Sequence, residues 1–331
     1  MTQAPPPEPT TSHVPPSPRK RWALKIIFKW LLVAAVLSAI GRHIWTLTDE
    51  WRGAREADGG SLHLAFGWVG IAAVVYLLGL GLCGEFWRTV LAEAGLRVGR
   101  LELLRAYYVG HLGKYIPGKA MVVVLRAGLI RHGSLGAVRV GLTVIFETLA
   151  MMAIGALVAA GCLLIAEPAR WHYWGGATGM AVVLFVVVHP AVFGRLSHWI
   201  SLPFDRNRSD VTSPPRYGSL MRGGGLLVVG WVLLGLSLAA TGRAIGLDLN
   251  SVDDLLVSIG TAALATVAGF LVIFMPSGIG VRELIVIELL APRFGPSAAV
   301  GMSILLRLIW VVAELGVAGV LYKWPMRTAK D

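Results

Sequence analysis

The chain has 331 residues, of which 56% are hydrophobic and only 15% are charged, and its mean hydropathy is +0.69. A soluble domain carries far more charge, so this composition excludes one and indicates an integral membrane protein. The net charge of +11 is no nucleic-acid signature, because the basic residues cluster at the ends of apolar segments, where lipid headgroups attract them. We therefore expect membrane lipids with an anionic or phosphate-bearing headgroup as partners, and no nucleic acid.

The first 18 residues are rich in proline and are predicted to form a disordered cytoplasmic tail. A membrane domain is predicted over 19–325, and a short cytoplasmic tail over 326–331. Apolar runs of about 20 residues can cross the hydrocarbon core of a bilayer as helices. Six full spans are predicted, near 23–43, 64–87, 140–166, 176–198, 224–244 and 299–322. The sequence thus predicts an all-α polytopic membrane protein.

Two further apolar stretches are interrupted by proline and glycine. The first, 107–130, contains Pro117 and Gly118, and the second, 255–291, contains Pro276 and Gly278. A proline removes a backbone donor and clashes with the preceding turn, so the freed amide groups must face buried protein or a wet cavity. One such break in each half of a chain is the sequence pointer to a transport site.

The distribution of charge predicts that both interrupted stretches are re-entrant hairpins. If 107–130 returns to the side from which it enters, every strongly basic segment and both termini lie in the cytoplasm, as the positive-inside rule requires. By the same rule, 255–274 enters from the outer side and 281–291 returns to it. Hairpins that enter from opposite sides are expected for an inverted repeat with a shared site at the bilayer midplane. The alternative, in which 255–274 crosses alone, stays open because that stretch is long enough.

The candidate site residues are the motif residues of the two interrupted stretches and charged side chains in the apolar spans. A charge at bilayer depth costs about 2.5–3.5 kcal/mol unless it is paired or hydrated. A lipid phosphate is one partner for such lysines and arginines, while snorkelling lysines and an internal acid for Arg126 are the alternatives. The predicted substrate-binding residues are Lys114, Tyr115, Pro117, Gly118, Lys119, Arg126, Pro276, Ser277, Gly278, Gly280, Arg282 and Glu283. Residues predicted to serve proton or ion coupling, or structural ion pairs, are Glu147, Glu288, Arg307 and Glu314.

Other motifs give no support to a different function. The run Gly79 to Gly84 formally fits the dinucleotide-binding glycine fingerprint, but it lies in an apolar span with no preceding strand, so close helix packing is predicted. The sequence has no Walker glycine loop, no nucleophile elbow and no spaced pair of metal-binding histidines. We predict no cofactor, no metal and no enzymatic activity.

The two interrupted motifs resemble those of a known family. The stretch Leu112 to Lys119, with Arg126, resembles the first signature of the lysylphosphatidylglycerol synthase transmembrane region family, a flippase-like domain. The stretch Phe274 to Glu283 resembles its second signature, except that Ser277 stands where family members commonly carry glycine. The likeness covers roughly 20–325. It implies a helical domain that moves lipids or lipid-linked sugars, without the soluble aminoacyl transferase that follows the membrane part in two-domain relatives.

Two functions remain open at this point. The first is a transporter that moves an anionic phospholipid, an aminoacylated lipid or a polyprenyl-phosphate-linked sugar between leaflets. The second is a non-transporting membrane subunit that binds lipid substrate and presents it to a separate glycosyl- or acyltransferase. For either function, the protein partners expected are a second copy of the chain or a transferase. A third hypothesis, an enzyme that acts within the bilayer, has less support because the sequence shows no complete set of acid, base and nucleophile. The predicted location is the inner, cytoplasmic membrane of a bacterium.

Overall fold

The computed structural model describes residues 64–115, 120–130, 136–201, 217–272, 278 and 280–323. The predicted tails and the span near 23–43 lie outside the described residues, as do Pro117, Gly118, Lys119, Pro276 and Ser277. The described chain forms ten α-helices and one 3-10 turn (Leu112–Tyr115). The helices are α1 (Phe66–Glu93), α2 (Arg100–His111), α3 (Ala120–Leu129), α4 (Ala137–Ala166), α5 (Trp171–Val188), α6 (Pro190–Ser201), α7 (Tyr217–Ala244), α8 (Val252–Leu271), α9 (Val281–Phe294) and α10 (Pro296–Lys323).

Six of the described helices are long and apolar enough to cross a membrane: α1, α4, α5, the part of α7 from Arg222 onward, α8 and α10. The predicted all-α polytopic membrane fold is therefore confirmed. Five of these helices coincide with predicted spans. The sixth, α8, was predicted as one arm of a hairpin, and its 20 residues extend about 30 Å, enough to cross alone.

One predicted boundary is wrong. The expected continuous span over 176–198 ends at Val188, and a new helix begins at Pro190. Proline has no backbone N–H and clashes with the turn before it, so it is tolerated in the first turn of a helix and not in the interior. The second helix, α6, buries Phe193 against Phe146 of α4 with ring centroids 5.1 Å apart, and leaves Trp199 exposed.

Helices α1 and α7 form the central antiparallel pair. The Ala65 amide donates to the Ala244 carbonyl over 2.9 Å, so the start of α1 lies beside the end of α7. Midway along the pair, a Cβ atom on Gly79 would lie 2.9 Å from the carbonyl oxygen of Gly230. Farther along α1, a Cβ atom on Gly84 would lie 3.2 Å from the Tyr107 ring. The glycines of this run thus allow close helix packing, as predicted.

The two interrupted stretches fold as hairpins at opposite ends of this central pair. The first hairpin consists of α2, the 3-10 turn and α3, and its first residue, Arg100, lies 3.8 Å from Glu85 near the end of α1. The second consists of α8 and α9 and follows the end of α7. Asp254, in the first turn of α8, accepts from Arg293, in the last turn of α9, over 2.6 Å. The start and the end of the second hairpin therefore lie on the same side of the protein.

The helix contacts repeat between the two halves of the described chain. Helix α4 packs on α8 as α10 packs on α2, and α3 packs on α4 as α9 packs on α10. Each hairpin also packs its own two arms together, α2 on α3 and α8 on α9. Exchanging α1 to α4 for α7 to α10 therefore reproduces the pattern, which is the arrangement expected of an inverted repeat.

Candidate functional site

Each hairpin is closed by a glycine that lies against an arginine. A Cβ atom on Gly110 of α2 would lie 2.4 Å from Cγ of Arg126, and one on Gly269 of α8 would lie 2.8 Å from Cγ of Arg282. Side chains at either position would push the arms of the hairpin apart. Gly278, at φ +67° and with the same Gly269 backbone 2.7 Å from its hypothetical Cβ, lets the second motif fold back onto α8.

The first arginine is enclosed in an internal ion pair. Arg126 is 2% exposed and donates to Glu147 of α4 over 2.6 Å, and Glu147 is 1% exposed. Tyr107 of α2 donates to the second carboxylate oxygen over 2.9 Å, and its ring lies 3.8 Å below the Arg126 guanidinium. These contacts fasten both arms of the first hairpin to α4. Of the two partners considered for Arg126, a lipid phosphate and an internal acid, the structure shows the internal acid.

A second buried carboxylate, Glu314 of α10, receives donors from two other parts of the chain. Lys114 donates to it over 2.5 Å and Tyr115 over 2.9 Å, both from the 3-10 turn. Tyr76 of α1 donates to the same carboxylate, and its ring stacks on Trp310 with centroids 4.4 Å apart. With 1% of its surface exposed, Glu314 ties the tip of the first hairpin to α1 and α10.

The two carboxylate clusters are joined through His111. Its ring lies parallel to that of Tyr107 with centroids 6.3 Å apart, and its Nε2 lies 3.0 Å from the Lys114 ammonium. The first hairpin therefore carries a continuous polar and aromatic path from Glu147 to Glu314.

Residues next to the tips of both hairpins border one cavity of about 390 Å³, counting its open mouth. Lys114 and Tyr115 come from the first hairpin, and Arg282 and Glu283 from the start of α9. Helix α10 completes the wall with Ser303, Leu306, Arg307 and Trp310.

The second motif supplies an ion pair on the wall of this cavity. Glu283 of α9 pairs with Arg307 of α10, and its other carboxylate oxygen accepts from the Gly280 amide over 2.6 Å. Gly280 has φ +87°, a conformation that favours glycine, and it places this carboxylate at the first turn of α9.

The predicted site residues whose side chains the structure describes fall into three groups, and the glycines Gly278 and Gly280 shape the backbone that leads into α9. The cavity brings together Lys114, Tyr115, Arg282, Glu283 and Arg307, with Glu314 directly behind Lys114. Arg126 and Glu147 form the separate internal pair. Glu288 lies on an exposed face of α9, where its backbone carbonyl accepts from Arg170 over 3.4 Å.

Sequence reasoning missed the residues that complete these clusters: Tyr76, Tyr107, Gly110, His111, Gly269, Ser303 and Trp310. The tyrosines and tryptophan lie in apolar runs, where an aromatic residue is most simply explained by packing. Their hydroxyl or ring partners are distant in the chain, since Tyr76 and Glu314 are 238 positions apart.

This architecture defines an integral membrane protein in which two oppositely placed hairpins border one charged cavity. The chain belongs to the lysylphosphatidylglycerol synthase TM region family, whose model matches residues 26–316. A comparison with curated proteins finds no match. Family membership and the apolar helices together establish a membrane protein with a lipid-related role.

Proposed function

We propose that the protein moves phosphate-bearing lipids between the two leaflets, with the headgroup passing through the cavity between the hairpins. The observation that carries the proposal is the meeting of the two tips. Lys114 and Arg282 come from hairpins at opposite ends of the α1–α7 pair, yet they line the same cavity. Such an arrangement is typical of carriers in which one repeat rocks against the other around a fixed midplane site.

The charge of the cavity supports a phosphate as cargo. Among the described residues at the cavity, Lys114, Arg282 and Arg307 are cationic, whereas Glu283 and the adjacent Glu314 are anionic. One positive charge is left uncompensated, which a phosphodiester would balance. Arginine forks and a lysine point charge are the side chains that proteins use to bind phosphate.

We include no catalytic step in this proposal, because transport requires none and both carboxylates at the cavity already accept hydrogen bonds. We also propose the inner membrane as the location, with both termini cytoplasmic. This orientation places the basic segments of the sequence on the side where anionic lipids attract them.

Reconstitution tests the proposal. In phosphatidylcholine vesicles that contain a trace of fluorescent phosphatidylglycerol, dithionite bleaches only the outer leaflet. Protein-free vesicles should lose about half of their fluorescence. We expect vesicles with the purified protein to lose more than half, because lipid from the inner leaflet becomes accessible to dithionite. If phosphatidylglycerol, a cationic lipid and a lipid-linked sugar all stop at one half, the protein is not a lipid transporter, and a subunit that only presents lipid becomes the better account.

A further inference from the structure

The carboxylates of Glu283 at the cavity and of Glu314 beside it already accept hydrogen bonds on both oxygens. Glu314 accepts from Lys114 and Tyr76 with one carboxylate oxygen and from Tyr115 with the other. Glu283 accepts from Arg307 with one oxygen and from the Gly280 amide with the other. A cationic headgroup would therefore have to share each of these carboxylate oxygens with a donor of the protein.

Donors at the same cavity are not all in use. Within the part of the chain that the structure describes, Nε of Arg282 and Nη2 of Arg307 are buried without a hydrogen-bond partner. Both residues line the cavity, and Arg307 already holds Glu283 with its other terminal nitrogen. Half of the Arg307 fork is thus free for a second acceptor. Buried donors without a partner are costly, so a ligand that supplies acceptors gains affinity here.

Building on the proposed function, we propose that the cavity selects headgroups with net negative charge at phosphate and rejects aminoacylated lipids with net positive charge. The phosphate oxygens accept from Nε of Arg282 and Nη2 of Arg307, and Lys114 adds a nearby positive charge. An aminoacyl ammonium would instead bring further donors to a wall that already holds three cations.

The surroundings of Arg282 support its role as an anion ligand. Its side chain packs across Gly269 of α8, where a Cβ atom would lie 2.8 Å from Cγ and 3.0 Å from Nε of Arg282. Its neighbour in sequence, Glu283, is engaged by Arg307 and by the Gly280 amide. Arg282 is therefore held at the cavity, and among the described residues no carboxylate accepts from its Nε.

The test compares two lipids in the dithionite assay, phosphatidylglycerol and lysylphosphatidylglycerol, each labelled on an acyl chain and present in trace amounts in phosphatidylcholine vesicles. We expect phosphatidylglycerol to move at least tenfold faster. Millimolar inorganic phosphate on both sides should leave this rate within twofold if lipid phosphate is the ligand, whereas strong inhibition would identify free phosphate as the better ligand and overturn the lipid selectivity.

The arginine variants locate the selectivity. R282Q and R307Q should each lower the rate of phosphatidylglycerol movement at least tenfold, and R307K should give a rate between theirs and that of the wild type. The control R88Q changes a part-exposed arginine near the end of α1 and should leave the rate unchanged. Size-exclusion profiles check that the variants fold. If either fails to fold, the wild-type lipid comparison still decides.

The outcomes separate the two claims. Equal or faster movement of lysylphosphatidylglycerol overturns the selectivity and leaves lipid transport standing. Movement of neither lipid overturns the selectivity, and if the lipid-linked sugar also fails to move, lipid transport is overturned as well. Retained phosphatidylglycerol movement in both R282Q and R307Q overturns the assignment of the phosphate to these arginines.

Discussion

Replacing Glu314 by alanine is expected to lower the free energy of unfolding by about 3–5 kcal/mol, the range found when one partner of a buried ion pair is removed. The carboxylate is 1% exposed and is the shared acceptor for Lys114, Tyr76 and Tyr115. Without it, a buried ammonium and two hydroxyl groups lose their acceptor at once. Unfolding in mixed micelles with increasing SDS measures the change.

A matched control is E93A, which removes an exposed carboxylate at the end of α1 and should change the unfolding free energy by no more than about 0.5 kcal/mol. E314Q keeps the size and one acceptor oxygen, so it should lie between E314A and the wild type. If E314A is as stable as E93A, the Glu314 cluster does not hold the first hairpin to α10.

The internal pair of Arg126 and Glu147 makes a second large prediction. E147L should destabilise by about 3–5 kcal/mol because it leaves a buried guanidinium without its partner. The double variant R126M/E147L should recover most of this loss, since an apolar pair of similar volume replaces the ion pair and its desolvation cost. Unfolding of the two single variants and the double variant forms a double-mutant cycle.

The same double variant distinguishes a structural role from a binding role for Arg126. Arg126 does not border the cavity between the hairpins, so the folded double variant should still move phosphatidylglycerol. A double variant as unstable as E147L would contradict the pairing. A stable double variant that moves no lipid would return Arg126 to the substrate-binding residues.

Much of this architecture follows from local signals in the sequence. Proline and glycine disfavour a continuous helix through local geometry alone, and the charge of the flanking segments predicts that each interrupted stretch turns back. The positions of α1, α4 and α10 follow from hydropathy alone. Pro190 is also visible in the sequence, but the apolar residues on both sides of it favoured one continuous span in the prediction.

The pairing of charges could not be predicted in the same way. From the sequence alone, Glu147 is an equally good acid for Arg126 and for Arg282. Adjacent Arg282 and Glu283 point to different faces of α9, so the rotation of each helix decides the partners. The tight approaches at Gly110 and Gly269 depend on contacts between arms of a hairpin. Nothing periodic in the sequence marks those two glycines among the 40 in the chain.

The most direct test of the central claim, one cavity reached in turn from both faces, is the labelling of a single cysteine at Ser303. Ser303 lines the cavity and is 5% exposed. In a C83A/C162A background, S303C is placed in sealed vesicles with a membrane-impermeant thiol reagent added outside or trapped inside. The account predicts labelling from each side, slowed by phosphatidylglycerol in excess. Labelling from one side alone would contradict alternating access.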